Sequence, residues 1–447
     1  MQRKRATCIG LCVLLWCGSA LAQDTLTLEQ AIDLALKYSA RLAELEARQA
    51  GAAAAETARD AARWPTIAAQ ASYLRTNHVD PYVIVQPLQP LRVLYPDVPD
   101  NYRARVDLQW PIYTGGRVDA LTRAARAERE AIAGDLAAAR ADLRLEVTRA
   151  FWALVTARET EQVVTRALER TDVHLHDLRT RLEQGLIPPS DVTASEAQRS
   201  RQHLLAIEAR NLRLISEADL RRLTGSDWGQ TGVRPGSDRG QTGVRPGSDL
   251  GQTGVRPSSD PGQTSGTARP ERTALERRLE ASEAREDAVG AAIKPQVGVV
   301  GGYDYARPNP RIFPRAADWE DSWDVGVNLT WTLWDGGRRK AEQAEAAAAT
   351  RAFHARLTEF DRHTAFEIQQ RELELQSARA AIDTAADGIR SAAETHRVLG
   401  ERYRAGVATS TEVLDAEVAL LQAELDRTRA VASARLAEAN LERARGR

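Results

Sequence analysis

Two short stretches decide the fold: "LQWPIYTGGR", Leu108 to Arg117, and "WTLWDGGRR", Trp331 to Arg339. Before each Gly-Gly pair, apolar and polar residues alternate. In the first, Val106, Leu108, Trp110 and Ile112 alternate with Arg105, Asp107 and Gln109. In the second, Val325, Val327, Leu329, Trp331 and Leu333 alternate with Asp324, Asn328, Thr330 and Thr332. Period-2 alternation is the mark of a strand with one apolar face. After each Gly-Gly pair the text changes to Ala, Leu, Glu, Arg and Gln without proline, over Arg117–Glu183 and Arg338–Arg404. These are strong helix formers. Each motif therefore switches the chain from strand to helix. Gly115, Gly116, Gly336 and Gly337 are the expected hinges, because such a turn requires backbone freedom that includes positive φ. A phosphate cradle is the competing reading of a Gly-Gly pair, but the glycine spacing and lysine of a P-loop are missing.

The motif occurs twice because the chain is written twice. Gly116 and Gly337 are 221 residues apart, and the same offset carries Gly185 in "RLEQGLIPPSDV" onto Gly406 in "RYRAGVATSTEV". Upstream, "RWPTIAAQASY" (Arg63 to Tyr73) resembles "IKPQVGVVGGY" (Ile293 to Tyr303). An internal repeat of this kind defines the architecture. We expect a first repeat over 23–225, with strands at about 64–74 and 104–113, and a second over 269–447, with strands at about 295–305 and 323–334. Between them, 226–268 carries an eleven-residue text, "GSDWGQTGVRP", repeated with decay. It has almost nothing apolar to bury and reads as a linker. Its single recurring Asp supplies too few oxygens for calcium.

The N-terminus reads as a secretory signal over 1–22. Arg3, Lys4 and Arg5 precede a short apolar core, and "ALA" ends at Ala22, placing cleavage before Gln23. Cys8, Cys12 and Cys17, the only cysteines, all lie within it. Bulky Trp16 before Cys17 argues against lipidation. A mature chain without cysteine has no disulfide, thiolate metal site or cysteine nucleophile. The formal net charge of -1 over 447 residues argues against nucleic acid as a main partner. No HExxH, nucleophile elbow or histidine cluster appears, so neither an enzyme nor a cofactor or metal site is expected.

The strands are about the length of a tilted strand crossing a bilayer. Of 23 Phe, Trp and Tyr, seven lie in Trp64–Tyr113 and seven in Tyr303–Trp334, the pattern of aromatic girdles in lipid. A soluble pair of hairpins around an aromatic core is the competing reading, and the polar second face argues against it. Four strands cannot close a barrel, and open edges are not tolerated in lipid. The chain must therefore associate with copies of itself, two giving eight strands and three giving twelve. The helical stretches, each roughly 65 residues and so about 100 Å if unbroken, use alanine for close side-by-side packing.

With "LTLEQAIDLAL" at Leu26 to Leu36, the two Gly-Gly-Arg motifs and the two Gly-centred turns, the chain resembles the TolC-like outer-membrane efflux and export ducts over nearly its whole mature length. The resemblance implies a mainly α fold with a membrane β-barrel part: a homotrimer sharing one 12-stranded barrel in outer-membrane lipid, with an α-helical periplasmic tunnel. It implies a tripartite efflux or type I secretion system, with a periplasmic adaptor (membrane fusion) protein and an inner-membrane transporter as partners. It makes the two Gly-centred segments the helix–turn–helix tips of the periplasmic entrance. Gly185 and Gly406 would break the helices there, with Asp191, Tyr403, Glu412 and Asp415 at the entrance or adaptor contact, and Glu412 and Asp415 as acidic rings. Helix capping by Ser190, Asp191 or Thr411 is the competing role for these turn residues. The family's entrance arginine is replaced by Ala408, so its ionic lock is not carried over, and Pro188-Pro189 stiffens the first turn. A periplasmic coiled-coil structural or adaptor protein is the alternative. It would not need paired amphipathic strands with aromatic ends.

Overall fold

The structure, a computed structural model, describes residues 26–84, 92–225 and 269–446. The signal segment 1–22 and the linker 226–268 expected from the sequence lie outside the described residues. In chain order the elements are α1 (Leu28–Tyr38), α2 (Ala40–Ala61), β1 (Thr66–Arg75), β2 (Tyr82–Ile84), β3 (Arg92–Tyr95), β4 (Asp100–Tyr113), α3 (Arg117–Glu183) and α4 (Pro189–Thr224). They continue with α5 (Pro270–Gly290), β5 (Gln296–Arg307), β6 (Glu320–Thr330), α6 (Arg338–Arg404) and α7 (Ser410–Ala444). Arg117 and Arg338 open the long helices, Glu183 and Arg404 close them, and Pro189 and Ser410 open the next pair, each pair 221 residues apart.

The described residues form two compact units. One holds 40–84, 92–142, 269–372 and 441–446; the other holds 26–39, 143–225 and 373–440. The first contains the sheet, ordered β1-β4-β5-β6 and antiparallel throughout. The register places two kinds of residue on its two faces. Ile67, Val106, Leu108, Trp110, Val299, Tyr303, Trp323, Val325, Val327 and Leu329 share one face. Gln70, Arg103, Arg105, Asp107, Asp304, Ser322 and Asp324 share the other. Among the described residues nothing covers the apolar face: Val325 and Val327 are 70% and 72% exposed. Burying such a side chain is worth about 1.5–3 kcal/mol, so a continuous uncovered row calls for another apolar phase. Aromatic residues border the face at both ends. Tyr73, Tyr102, Trp319 and Tyr305 contact one another in sequence at 5.0, 5.8 and 5.0 Å between ring centroids. Trp64, Trp110, Tyr113 and Trp331 occupy the other end.

β4 and β6 start at Asp100 and Glu320, a few residues ahead of the expectation, and two further details differ from it. β6 stops at Thr330 instead of running to Trp334, because Thr330 faces Gln296, the first residue of β5. The next position on that side is Pro295, which has no N–H to donate. Trp331 instead donates its indole Nε1–H to the Ile293 carbonyl at 3.1 Å. In addition, β2 and β3 form a small antiparallel ribbon of their own in the β1–β4 connection.

The hinges have the expected conformation. Gly115 and Gly116 have φ of 67° and 89°, and Gly336 and Gly337 have 70° and 90°. At the equivalent positions just before them, Thr114 Oγ1 accepts from Val118 N at 3.4 Å, and Asp335 accepts from Gly337 N and Arg339 N at 3.2 and 3.1 Å. These bonds satisfy the first free amides of α3 and α6. The hinges differ in their surroundings. A Cβ on Gly115 would lie 2.8 Å from Lys294 Cβ and 2.9 Å from the Ala291 carbonyl, whereas one on Gly336 would meet open space. Either alanine substitution incurs about 1 kcal/mol for positive φ, but only Gly115→Ala adds a steric clash. Gly115→Ala should therefore lower the melting temperature of the detergent-extracted protein more than Gly336→Ala. Equal losses would contradict the close contact at Gly115.

Candidate functional site: the paired helix turns

The second unit contains both Gly-centred turns. Each descending helix ends in the same hydrogen-bonded motif. Leu186 N donates to Arg181 O and Gly185 N to Leu182 O, both at 2.9 Å; Val407 N donates to Arg402 O at 2.9 Å and Gly406 N to Tyr403 O at 3.0 Å. This is a Schellman closure, which needs a left-handed residue. Gly185 and Gly406 supply it with φ of 69° and 74°.

The turns start their second helices differently. Pro188 stands at the N-cap of α4 without a side-chain cap, and Pro189 follows in the first turn. Ser190 Oγ donates to Asp191 Oδ1 at 3.4 Å, so neither residue caps the helix. In the second turn the cap is Thr409, two residues before the expected Thr411. Thr409 N donates to Glu412 Oε2 at 2.7 Å, and Glu412 N donates to Thr409 Oγ1 at 3.3 Å. This reciprocal pair is a capping box. The Thr409 amide and hydroxyl hold the Glu412 carboxyl below its ordinary range. Asp415, one turn further on, is exposed.

Apolar packing joins the two turns. Tyr403 is buried with Leu175, Leu178, Val192 and Val413, and Ile187 and Ala408 pack against this cluster. Tyr403 therefore contacts the first turn's neighbourhood, while Gly185, Gly406 and Asp415 stay at the surface and Asp191 is half-buried. Its ring also receives the Arg181 guanidinium at 4.8 Å and the edge of His174 at 5.6 Å.

Beside Tyr403 lies a cavity of about 680 Å³ whose polar residues sequence reasoning missed. Arg170, His174, His396 and Glu417 line it. Glu417 is buried, and its two oxygens accept from Arg170 Nε at 2.7 Å and from His396 Nε2 at 2.9 Å. Burial alone would push its carboxyl up, but these two donors outweigh it and hold it below the ordinary value. His174 Nε2 lies 3.3 Å from Ser410 Oγ, and burial pushes its pKa below the ordinary 6.5. The 221-residue offset pairs Glu417 with Glu196, a half-buried residue bonded to exposed Arg179. The repeat thus marks the position, but the burial comes from helices distant in sequence. Among the described residues no helix is long and apolar enough to span a membrane, and no group of three or more potential ligands could hold a metal.

The structure is thus an open sheet with one apolar and one charged face, joined through glycine hinges to long helices. A family model described as outer membrane efflux protein matches residues 31–226 and 267–447. The chain belongs to this family of outer-membrane channels. No curated protein sequence matches the chain. Among solved structures, it is similar to a membrane protein from Pseudomonas aeruginosa, with TM-score 0.76, 21% identity, and coverage of 94% of this chain and 90% of that one. VceC, an outer membrane protein of Vibrio cholerae, gives 0.74 and 21%, covering 94% and 96%. The open-state MtrE outer membrane channel of Neisseria gonorrhoeae gives 0.71 and 18%, covering 94% and 88%. At these identities the likeness is one of fold.

The turn cluster should be sensitive to acid. A histidine whose pKa is lower folded than unfolded stabilises fully above its unfolded value, and that contribution is lost as pH falls through the folded value. Glu417, with its lowered carboxyl, acts on the same side but at lower pH. Helical melting of the detergent-extracted protein should therefore fall between about pH 7.5 and about pH 5.5, and His174→Leu should shrink that fall. An unchanged fall would remove His174 as its source.

Proposed function

We propose that this chain is the outer-membrane channel-tunnel of a tripartite efflux or type I secretion system and works as a homotrimer. The carrying observation is the sheet: apolar on one face, charged on the other, with β1 and β6 as edges that have no partner strand among the described residues. Pairing β6 of one copy with β1 of the next satisfies both edges. Three copies then give a closed barrel of twelve strands, with the charged face as its lumen. The helices support association too. α3 buries a stripe that includes Ala131, Val147, Phe151 and Leu154, whereas α6 is exposed along most of its length, with Phe366 and Leu373 uncovered. Neighbouring copies would cover α6.

In this reading, residues 1–22 direct export, 23–225 and 269–447 are the two duct repeats, and 226–268 links them. The turns at Gly185 and Gly406 form the periplasmic entrance and receive an adaptor protein, which connects them to an inner-membrane transporter. Asp191, Tyr403 and Glu412 shape the turns. Glu412 is engaged by Thr409, so exposed Asp415 is the carboxylate assigned to narrowing the entrance. A threefold ring of carboxylates on a narrow axis favours cations and binds multivalent ones.

Native mass spectrometry of protein extracted from the outer-membrane fraction should give three times the mature chain mass. A water-soluble monomer would favour the coiled-coil adaptor reading instead. In planar bilayers, Asp415→Ala should weaken block by a multivalent cation such as hexamminecobalt by roughly tenfold. Unchanged block would free Asp415 from this role.

A further inference from the structure

The charged face of the sheet carries one connected cluster of six groups. Arg103, Arg105 and Asp107 come from β4, Asp304 from β5, Asp324 from β6 and Arg311 from the β5–β6 connection. Arg105 is its centre. Its Nε donates to Asp107 at 2.6 Å, its Nη1 to Asp304, and its Nη2 reaches Asp324 at 3.4 Å. Arg103 Nε gives Asp304 a second bond at 2.5 Å, and Arg311 Nη2 gives one to Asp324 at 2.8 Å. Three guanidinium groups meet three carboxylates, and the cluster has no net charge.

This arrangement depends on a missing side chain. Arg105 crosses β5 over Gly302, which stands between Asp107 and Asp324 in the register. A Cβ on Gly302 would lie 2.7 Å from Arg105 Cζ and 3.0 Å from Asp324 Oδ1. Gly302 is not among the glycines with positive φ, so no turn conformation demands glycine here. Glycine inside a strand weakens it and marks a place where another group must come close. The close group is the Arg105 guanidinium. Because a flexible arginine end can move aside, a methyl group at 302 should displace Arg105 and spare the strand.

We infer that Gly302 and Arg105 together set the charge of the channel wall, as specificity-determining residues of the conduit. Gly302 lets Arg105 lie flat on the sheet and neutralise carboxylates on three strands, so the wall at this level does not discriminate between cations and anions. Ala68, Gly298 and Gly326 on the same face keep it free of bulk. The inference rests on the channel reading above.

The test is the K⁺/Cl⁻ permeability ratio in planar bilayers under a salt gradient. All variants are made in an Asp415→Asn background, so that entrance charge does not dominate. That parent should give a ratio near unity. Arg105→Gln leaves carboxylates in excess and should shift the ratio toward K⁺ by about twofold or more. Gly302→Ala keeps every charge but lifts the guanidinium into the lumen, and should shift the ratio toward Cl⁻. Combined, the two should behave as Arg105→Gln alone, because Gly302 acts only through Arg105. Should Gly302→Ala fail to insert, Asp324→Asn removes the far anchor of Arg105 without touching β5, with the same expected direction. A conducting parent whose ratio is unmoved by these substitutions overturns the inference alone. A parent that inserts as a trimer yet does not conduct overturns the channel reading itself.

Discussion

A backbone amide facing hydrocarbon has no water to bond, and leaving it unpaired costs several kcal/mol. The β1-β4-β5-β6 sheet pairs its inner rows and leaves the outer rows of β1 and β6 without a partner strand among the described residues. Most of the molecule's other features follow from that deficit. In the proposed channel the exposed apolar face meets lipid, and lipid forbids open edges. Further copies would then close the edges and give α6 a reason to carry uncovered apolar residues where α3 carries buried ones. The hinges follow as well. A chain committed to a membrane strand must change periodicity within a few residues of leaving it, and two successive left-handed residues, affordable only to glycine, accomplish the change.

The two repeats keep one backbone plan and differ in what surrounds it. Gly115 is packed against Lys294 and Ala291, and Gly336 is open. Glu196 is half-buried and pairs with exposed Arg179, whereas its equivalent Glu417 is buried between Arg170 and His396. Pro188 replaces a side-chain cap in one turn, and Thr409 with Glu412 forms a capping box in the other. Backbone closure by a Schellman bond is local, so both copies retain it. Burial depends on which helices come together, and there the copies differ.

That division also marks how far the sequence could be read. Alternation at Val106–Ile112 and Val325–Leu329, the Gly-Gly pairs and the 221-residue offset are local signals, and the elements they predict are present. The end of β6 was not legible, because it depends on Pro295, just ahead of β5, rather than on the alternation that continues to Leu333. The β2–β3 ribbon has too few residues to establish a period. The Glu417 cluster was invisible for a stronger reason: Arg170 and Glu417 are 247 residues apart, and each taken alone reads as an ordinary charge on a helix. Glu412 was expected as an acidic group at an entrance, with Thr411 as the competing cap. Its bonds to Thr409 make it part of the cap.

Charge is managed by different chemistry in the two units. On the sheet every carboxylate of the cluster is held by arginine, whose guanidinium does not titrate in proteins. Its balance therefore rests on which carboxylates the guanidinium groups reach. At the turns the buried groups include His174, whose pKa burial lowers. Protonating it places a cation against the Tyr403 ring, next to the Arg181 guanidinium that the same ring already attracts. In the proposed channel, the groups that balance charge on the sheet are thus distinct from those that pack the two turns together.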